Sequence, residues 1–233
     1  MMRLNLNCLL PLAVGVFAVS LHAQVTYVQT NGTSYQTPAL TGFTTTGNEM
    51  AGMGVSVNFS DGTTQTATWA ATGADSGAAS AANYFTIGES GDTFASNAWT
   101  LENLSSTLSI TGFSLFGVPG NTTFDRVFGG LEGTPGSGSG LDFNIVGAAG
   151  LGVTATYSDI LNLTGSPAVG DEFVLLSVGF ANPFAPDAIA TFSQDTDSAR
   201  TSSSIVATAP DEASTLLLVG AAFSVFAGLR RKR

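Results

Sequence analysis

The chain has 233 residues, with seventeen Asp or Glu against seven Lys or Arg and a formal net charge of −10. Its single cysteine, Cys8, and single histidine, His22, both lie near the N-terminus, and its only lysine is Lys232. Residues 24–212 therefore contain no thiol, imidazole or lysine. This excludes His-based triads, thiol nucleophiles, lysine chemistry and ordinary zinc or copper sites, while the acidic balance argues against nucleic acid as a partner.

The first segment, 1–23, has Arg3 ahead of an apolar run from Leu9 to Val19, with small residues at Ser20 and Ala23. This pattern predicts a secretory signal peptide, because an apolar run of about eleven residues is short of the ~17 that a spanning helix needs. Beyond it, residues 24–212 keep only Arg126 and Arg200 against all seventeen carboxylates, a formal charge of −15. A domain without cysteine cannot use disulfides, and about 190 residues suffice to bury a core without them.

Thr, Ser, Gly, Val and Phe dominate this region, and no stretch keeps a helical period. The clearest unit is Val55–Phe59, apolar and polar in alternation, then Ser60-Asp61-Gly62, then Thr63–Trp69: a β-hairpin with glycine at its turn. Further strands are predicted at Tyr84–Ile87, Phe94–Leu101, Leu108–Phe116, Leu141–Val146, Val153–Tyr157, Phe173–Phe180 and Ser204–Ala207. Short strands at this spacing, separated by Gly, Asn, Asp and Pro, predict an all-β domain over 24–194, a β-sandwich or jelly roll. Gly73–Ala82 and Gly133–Gly140 read as long exposed loops, and 195–208 as a polar stalk.

With catalysis by His, Cys and Lys excluded, the carboxylates remain. Asp171-Glu172 are neighbours, but successive strand residues face opposite sides and do not flank one glycosidic bond. Asp195-Thr196-Asp197 places two carboxylates on one side of an extended chain, a candidate calcium site in a late loop, with Asp61 and Asp75 in other candidate loops. None of these forms a complete calcium-loop motif, so solvated turn aspartates are the competing reading. Arg126, between Phe124 and Phe128 after one intervening residue on the N-terminal side, is expected to pair with a carboxylate other than its neighbour Asp125 and to fix a loop, with ligand binding as the alternative. Trp69, Trp99 and Tyr84 would stack on sugar rings if exposed, but at apolar strand positions they read as core.

The last segment, 209–233, is Ala209-Pro210-Asp211-Glu212-Ala213-Ser214-Thr215, an uncharged run to Leu229, then Arg230-Arg231-Lys232-Arg233. As a helix, Ala213–Leu229 would span about 26 Å against a hydrocarbon core of ~30 Å, and the basic end would stay cytoplasmic. This arrangement resembles the C-terminal sorting signal of the PEP-CTERM class, in particular its VPDSG-CTERM variant. Pro210, Asp211 and Ser214-Thr215 stand where Pro, Asp and Ser-Thr stand in that variant, and Ala209 replaces its Val.

The resemblance implies processing by an exosortase, a membrane-embedded cysteine protease, with this chain as its substrate. It also implies anchoring in the inner membrane before processing, then release to the cell surface or extracellular matrix in association with exopolysaccharide. Three further blocks resemble ones in exported PEP-CTERM domains: Asn48–Phe59 with its Asp61-Gly62 turn, Gly91–Trp99, and Pro119–Gly130. They imply a shared β-fold over roughly residues 45–146 and no activity. Two expectations follow: a structural or adhesive envelope protein, and alternatively a carbohydrate-binding module, with a glycoside-active enzyme third.

Overall fold

The computed structural model describes residues 23–30, 32–40, 44–127, 134, 137, 139–148, 150–166, 169–199 and 204–208. The expected signal segment up to residue 22 and the sorting segment 209–233 lie outside the described residues. Among the described residues, strands dominate. There are two short 3-10 helices, Gly47–Met50 and Val118–Gly120, and no α-helix. No helix there is long and apolar enough to cross a membrane.

In chain order the first strands are β1 Val25–Gln29, β2 Tyr35–Thr37, β3 Gly54–Phe59, β4 Thr64–Thr68 and β5 Ala70–Ala71. Then come β6 Ser76–Ala81, β7 Phe85–Ser90, β8 Trp99–Asn103, β9 Ile110–Phe116 and β10 Thr122–Asp125. The last are β11 Asn144–Val146, β12 Val153–Leu163, β13 Glu172–Phe184, β14 Ile189–Ser193, β15 Asp195–Ser198 and β16 Val206–Ala207. One sheet has the order β16-β2-β12-β13-β9-β3-β4, with β1 parallel to β12 and with β10 joining β13 to β15. The other has the order β11-β14-β8-β7-β6-β5.

The period-two pattern of the sequence explains how these sheets pack. In β3 the buried residues are Val55, Val57 and Phe59, and β3 pairs antiparallel with β4 across the Asp61-Gly62 turn. In the opposite sheet, β7 buries Phe85, Ile87 and Glu89, and β8 buries Trp99, Leu101 and Asn103. The inward rows meet in one core in a sandwich-like arrangement. Phe113 on β9 lies 5.7 Å from Phe192 on β14, and Trp69 lies 5.3 Å from Trp99, ring centre to ring centre. A smaller cluster of Leu40, Leu161, Leu163, Val174, Ala199 and Ile205 packs apart from this core.

The all-β expectation and its hairpin are therefore found, and four segments differ from the sequence reading. Gly73–Ala82 is no exposed loop, because Ser76–Ala81 forms β6 between β5 and β7 with Gly77 and Ala79 buried. Its small residues answer to a close approach. A Cβ at Gly77 would lie 2.2 Å from both the Gly47 carbonyl oxygen and Trp69 Nε1, two atoms that form a 2.7 Å hydrogen bond. Gly77→Ala is expected to lower stability by about 2 kcal/mol through this overlap. Urea unfolding would measure it, and a loss within the noise of the method would show that the contact yields without cost.

The second difference is Gly133–Gly140, where of the described residues Thr134, Ser137 and Gly140 are buried and Ser139 is exposed. The third is 195–208. Asp195–Ser198 is wholly buried as β15, paired with β10, and Val206–Ala207 pairs with β2, so neither piece is a free stalk. The expected Phe94–Leu101 strand begins only at Trp99, after turns that include Asn97 at a left-handed φ of 62°.

Candidate functional site

The site is built on β10, the four-residue strand Thr122–Asp125, every residue of which is buried. The chain enters it through the 3-10 helix Val118–Gly120 and Asn121, whose φ of 49° and ψ of 37° are left-handed, a conformation Asn tolerates. This explains why Pro119-Gly120-Asn121 precedes a strand. β10 lies between β13 and β15, so Asp125 stands directly across from Glu172 on one side and Asp195 on the other. Thr123 is opposite Asp197. Residues directly opposite, and those two apart along a strand, share a sheet face, so this register gathers acids from three distant stretches.

Asp125, Glu172 and Asp197 each offer a carboxylate oxygen, and these oxygens all lie within 4.8 Å of one another. The three residues are 1%, 1% and 0% exposed. Ser137 Oγ donates to Asp125 Oδ2 at 2.6 Å, and Thr123 Oγ1 lies 2.8 Å from both Glu172 Oε2 and the Phe173 carbonyl oxygen. Asp125 Oδ1, Glu172 Oε1 and both oxygens of Asp197 are buried without a hydrogen-bond partner.

Two neighbouring acids are satisfied differently. Asp171 accepts hydrogen bonds from the Thr134 amide at 3.2 Å and from its hydroxyl. Asp195 Oδ1 accepts from Thr93 Oγ1 at 3.2 Å. Closure over Asp125 depends on Gly140, where a Cβ would lie 2.6 Å from Asp125 Oδ1 and from the Arg126 backbone carbon.

Burial without compensation makes charge costly here. Desolvation, then the charges of Asp197 and Asp125, push Glu172 well above the carboxylate range. Burial, with Asp197 and Asp125 adding to it, pushes Asp195 up to about 8. Asp125 goes up to about 7, from burial with Asp197 and Asp171 adding to it and Ser137 opposing it. Asp197 rises to about 6 from burial and Asp171, against the pull of Glu172 and Ser137.

The buried cation next to the cluster is engaged elsewhere. Arg126 is 4% exposed, and its Nε and Nη2 reach Asp142 Oδ1 and Oδ2 at 2.8 and 3.4 Å. Its guanidinium carbon lies 4.4 Å from the Tyr157 ring centre and 5.3 Å from that of Tyr27. The partner is thus a carboxylate other than Asp125, as the sequence suggests. Gln194 completes the surroundings: its Nε2 donates to the Asp125 carbonyl at 3.1 Å and the Asp195 carbonyl at 2.8 Å, and its Oε1 accepts from Tyr157.

Chemically, such a cluster is suited to a hard cation or to shared protons. It does not present an acid pair to a glycoside, because none of its carboxylates opens to solvent. Of the two aspartates singled out in the sequence, Asp197 joins the cluster and Asp195 turns to Thr93, on a strand and not in a loop. Asp61 is a turn aspartate that accepts from the Thr63 amide at 2.9 Å and hydroxyl at 2.7 Å. Trp69 and Trp99 are 1% and 0% exposed, and Tyr84 meets Phe59 edge-on at 5.6 Å.

The sorting residues Ala209–Thr215 and Arg230–Arg233 lie outside the described residues. Sequence reasoning missed Asp125 and Glu172 as partners of Asp197. The available signal was three acids in short polar stretches of a chain poor in charge. Compared with family models, with curated proteins and with solved structures, the chain matches none.

Proposed function

We propose that this protein is an exported component of the cell envelope or extracellular matrix, with a structural or adhesive role in association with exopolysaccharide. In this reading 1–23 directs export and 209–233 anchors the chain in the inner membrane until an exosortase-type protease acts at Ala209–Thr215. The observation that supports a structural role over the alternatives is the position of the reactive and ring-bearing side chains. Both tryptophans and all three cluster carboxylates face inward. Inward tryptophans offer no platform on which to stack a sugar ring, and the cluster carboxylates offer no solvent-open pair of the kind a glycosidase uses.

The tail supplies the address. Its apolar run and terminal cations orient a helix with the domain outside the cytoplasm. Deleting Arg230–Arg233 is expected to abolish maturation, so that the chain fails to shift to its processed mass and is lost from the envelope fraction. Immunoblots of fractionated cells with an active exosortase would measure this. Identical maturation of the full and shortened chains would refute the sorting role, whereas specific binding on a glycan array would instead favour the carbohydrate-binding alternative.

A further inference from the structure

We propose that Asp125, Glu172 and Asp197 form a binding site for one hard divalent cation, calcium, which fastens β15 to β10 and β13. The site draws one carboxylate from each of three strands, β10, β13 and β15. Two oxygens on opposite sides of a calcium ion at ~2.4 Å stand about 4.8 Å apart, and the three carboxylates fall within that span. With neither sulfur nor imidazole in residues 24–212, the donor set is purely oxygen, which selects calcium or magnesium over zinc or copper.

The second observation is the state of Asp197. It is fully buried, and neither of its oxygens makes a hydrogen bond of ordinary geometry, with Ser137 and the Glu172 carboxyl as its polar neighbours and one of its oxygens within 4.8 Å of oxygens of Asp125 and Glu172. A buried structural aspartate ordinarily collects amide or hydroxyl donors, as Asp171 does from Thr134. Asp125 and Glu172 show the same division within one side chain. One oxygen of each is held by a hydroxyl, Ser137 or Thr123, and the other is free to meet an ion. The nearby positive charge, Arg126, faces Asp142 and Tyr157.

Calcium is favoured over magnesium because it accepts irregular oxygen sets in dry sites, whereas magnesium retains several waters and demands an octahedron. The cation would hold in place the strand that pairs β10 along its whole length, from Thr122↔Ser198 to Asp125↔Asp195.

The test uses the full-length protein after removal of metal by chelation. Calcium at a hundredfold excess over its dissociation constant is expected to raise the melting temperature by roughly 5–10 °C. Magnesium at the same concentration and sodium chloride at matched ionic strength should each raise it by less than half as much. Equilibrium dialysis should find about one calcium per chain. Asp197→Asn and Glu172→Gln, which keep side-chain shape, should each lose the calcium-specific rise. Equal rises with all three salts, no calcium retained by the wild-type chain, or a rise that survives both substitutions would overturn the site. If neither variant folds, dialysis of the wild-type chain decides the matter alone.

Discussion

Replacing Arg126 with alanine is expected to destabilise the folded domain by about 2–3 kcal/mol, the cost of removing a buried guanidinium from a hydrogen-bonded pair whose carboxylate, Asp142, is 25% exposed. The guanidinium makes a two-pronged contact with Asp142, just ahead of β11 in the smaller sheet, and lies over Tyr157 of β12 in the larger one. It thus ties the two sheets together at one end. A desolvated cation over a ring contributes up to ~2 kcal/mol, and the planar fork is what allows one group to serve both partners. Arg126→Lys should therefore recover less than half of the loss. Urea unfolding of the three proteins at neutral pH measures both effects. If Arg126→Ala stays within about 1 kcal/mol of the wild type, the pair with Asp142 does not hold the sheets together.

The second large effect concerns Glu89 of β7, which is 3% exposed and whose carboxylate has only the Gly47 backbone beside it, with no hydrogen bond of ordinary geometry to either oxygen. Burial, with Asp92 and Asp75 adding to it and the Gly47 backbone opposing it, raises its pKa from 4.5 to about 8. Because the folded value lies above the unfolded one, the folded state binds this proton more tightly. The associated stability is fully present below pH 4.5 and is lost as pH rises through 8.

Glu89→Gln removes the titration with little change of shape. Between about pH 5 and about pH 9, with a chelator present, the wild type is expected to lose roughly 2–3 kcal/mol more than the variant, a figure reduced for partial solvation. Parallel pH curves for the two proteins would show that Glu89 ionises in the folded state without penalty.

The parts of the fold legible in the sequence are those in which apolar side chains themselves mark the strand. Val55, Val57 and Phe59 alternate toward the core, and Asp61-Gly62 closes their hairpin. β6 carries no such mark, because the surface it meets is the Gly47 backbone and the Trp69 indole, and contact that close selects Gly and Ala. β15 has no apolar residue at all. Its Asp-Thr-Asp-Ser sequence resembles a solvated linker, and it is pairing with β10, together with bonds from the Asp195 amide to Leu141 and the Thr196 amide to Thr93, that gives its backbone buried partners.

The same holds for the carboxylate cluster. The Asp195-Thr196-Asp197 alternation correctly puts two acids on one side of an extended chain. The register of β10 against β13 and β15 brings both to the face of Asp125 and Glu172, and the bond from Thr93 to Asp195 leaves Asp197 to join the cluster, long-range properties that no local pattern carries. Arg126 was the more readable residue, since a lone arginine among aromatic residues in an acidic chain must find a counter-charge.

The position of β15 and β16 also fixes an order in time. β2 and β10 are made well before the end of synthesis, yet one partner of each, Val206–Ala207 and Asp195–Ser198, comes from the last strands of the described chain. Until those residues have emerged, both strands keep an open edge, and loop closure over such distances is slow. The domain therefore finishes folding only after nearly all of its strands have been synthesised. Throughout that interval its unpaired edges need protection from neighbouring chains.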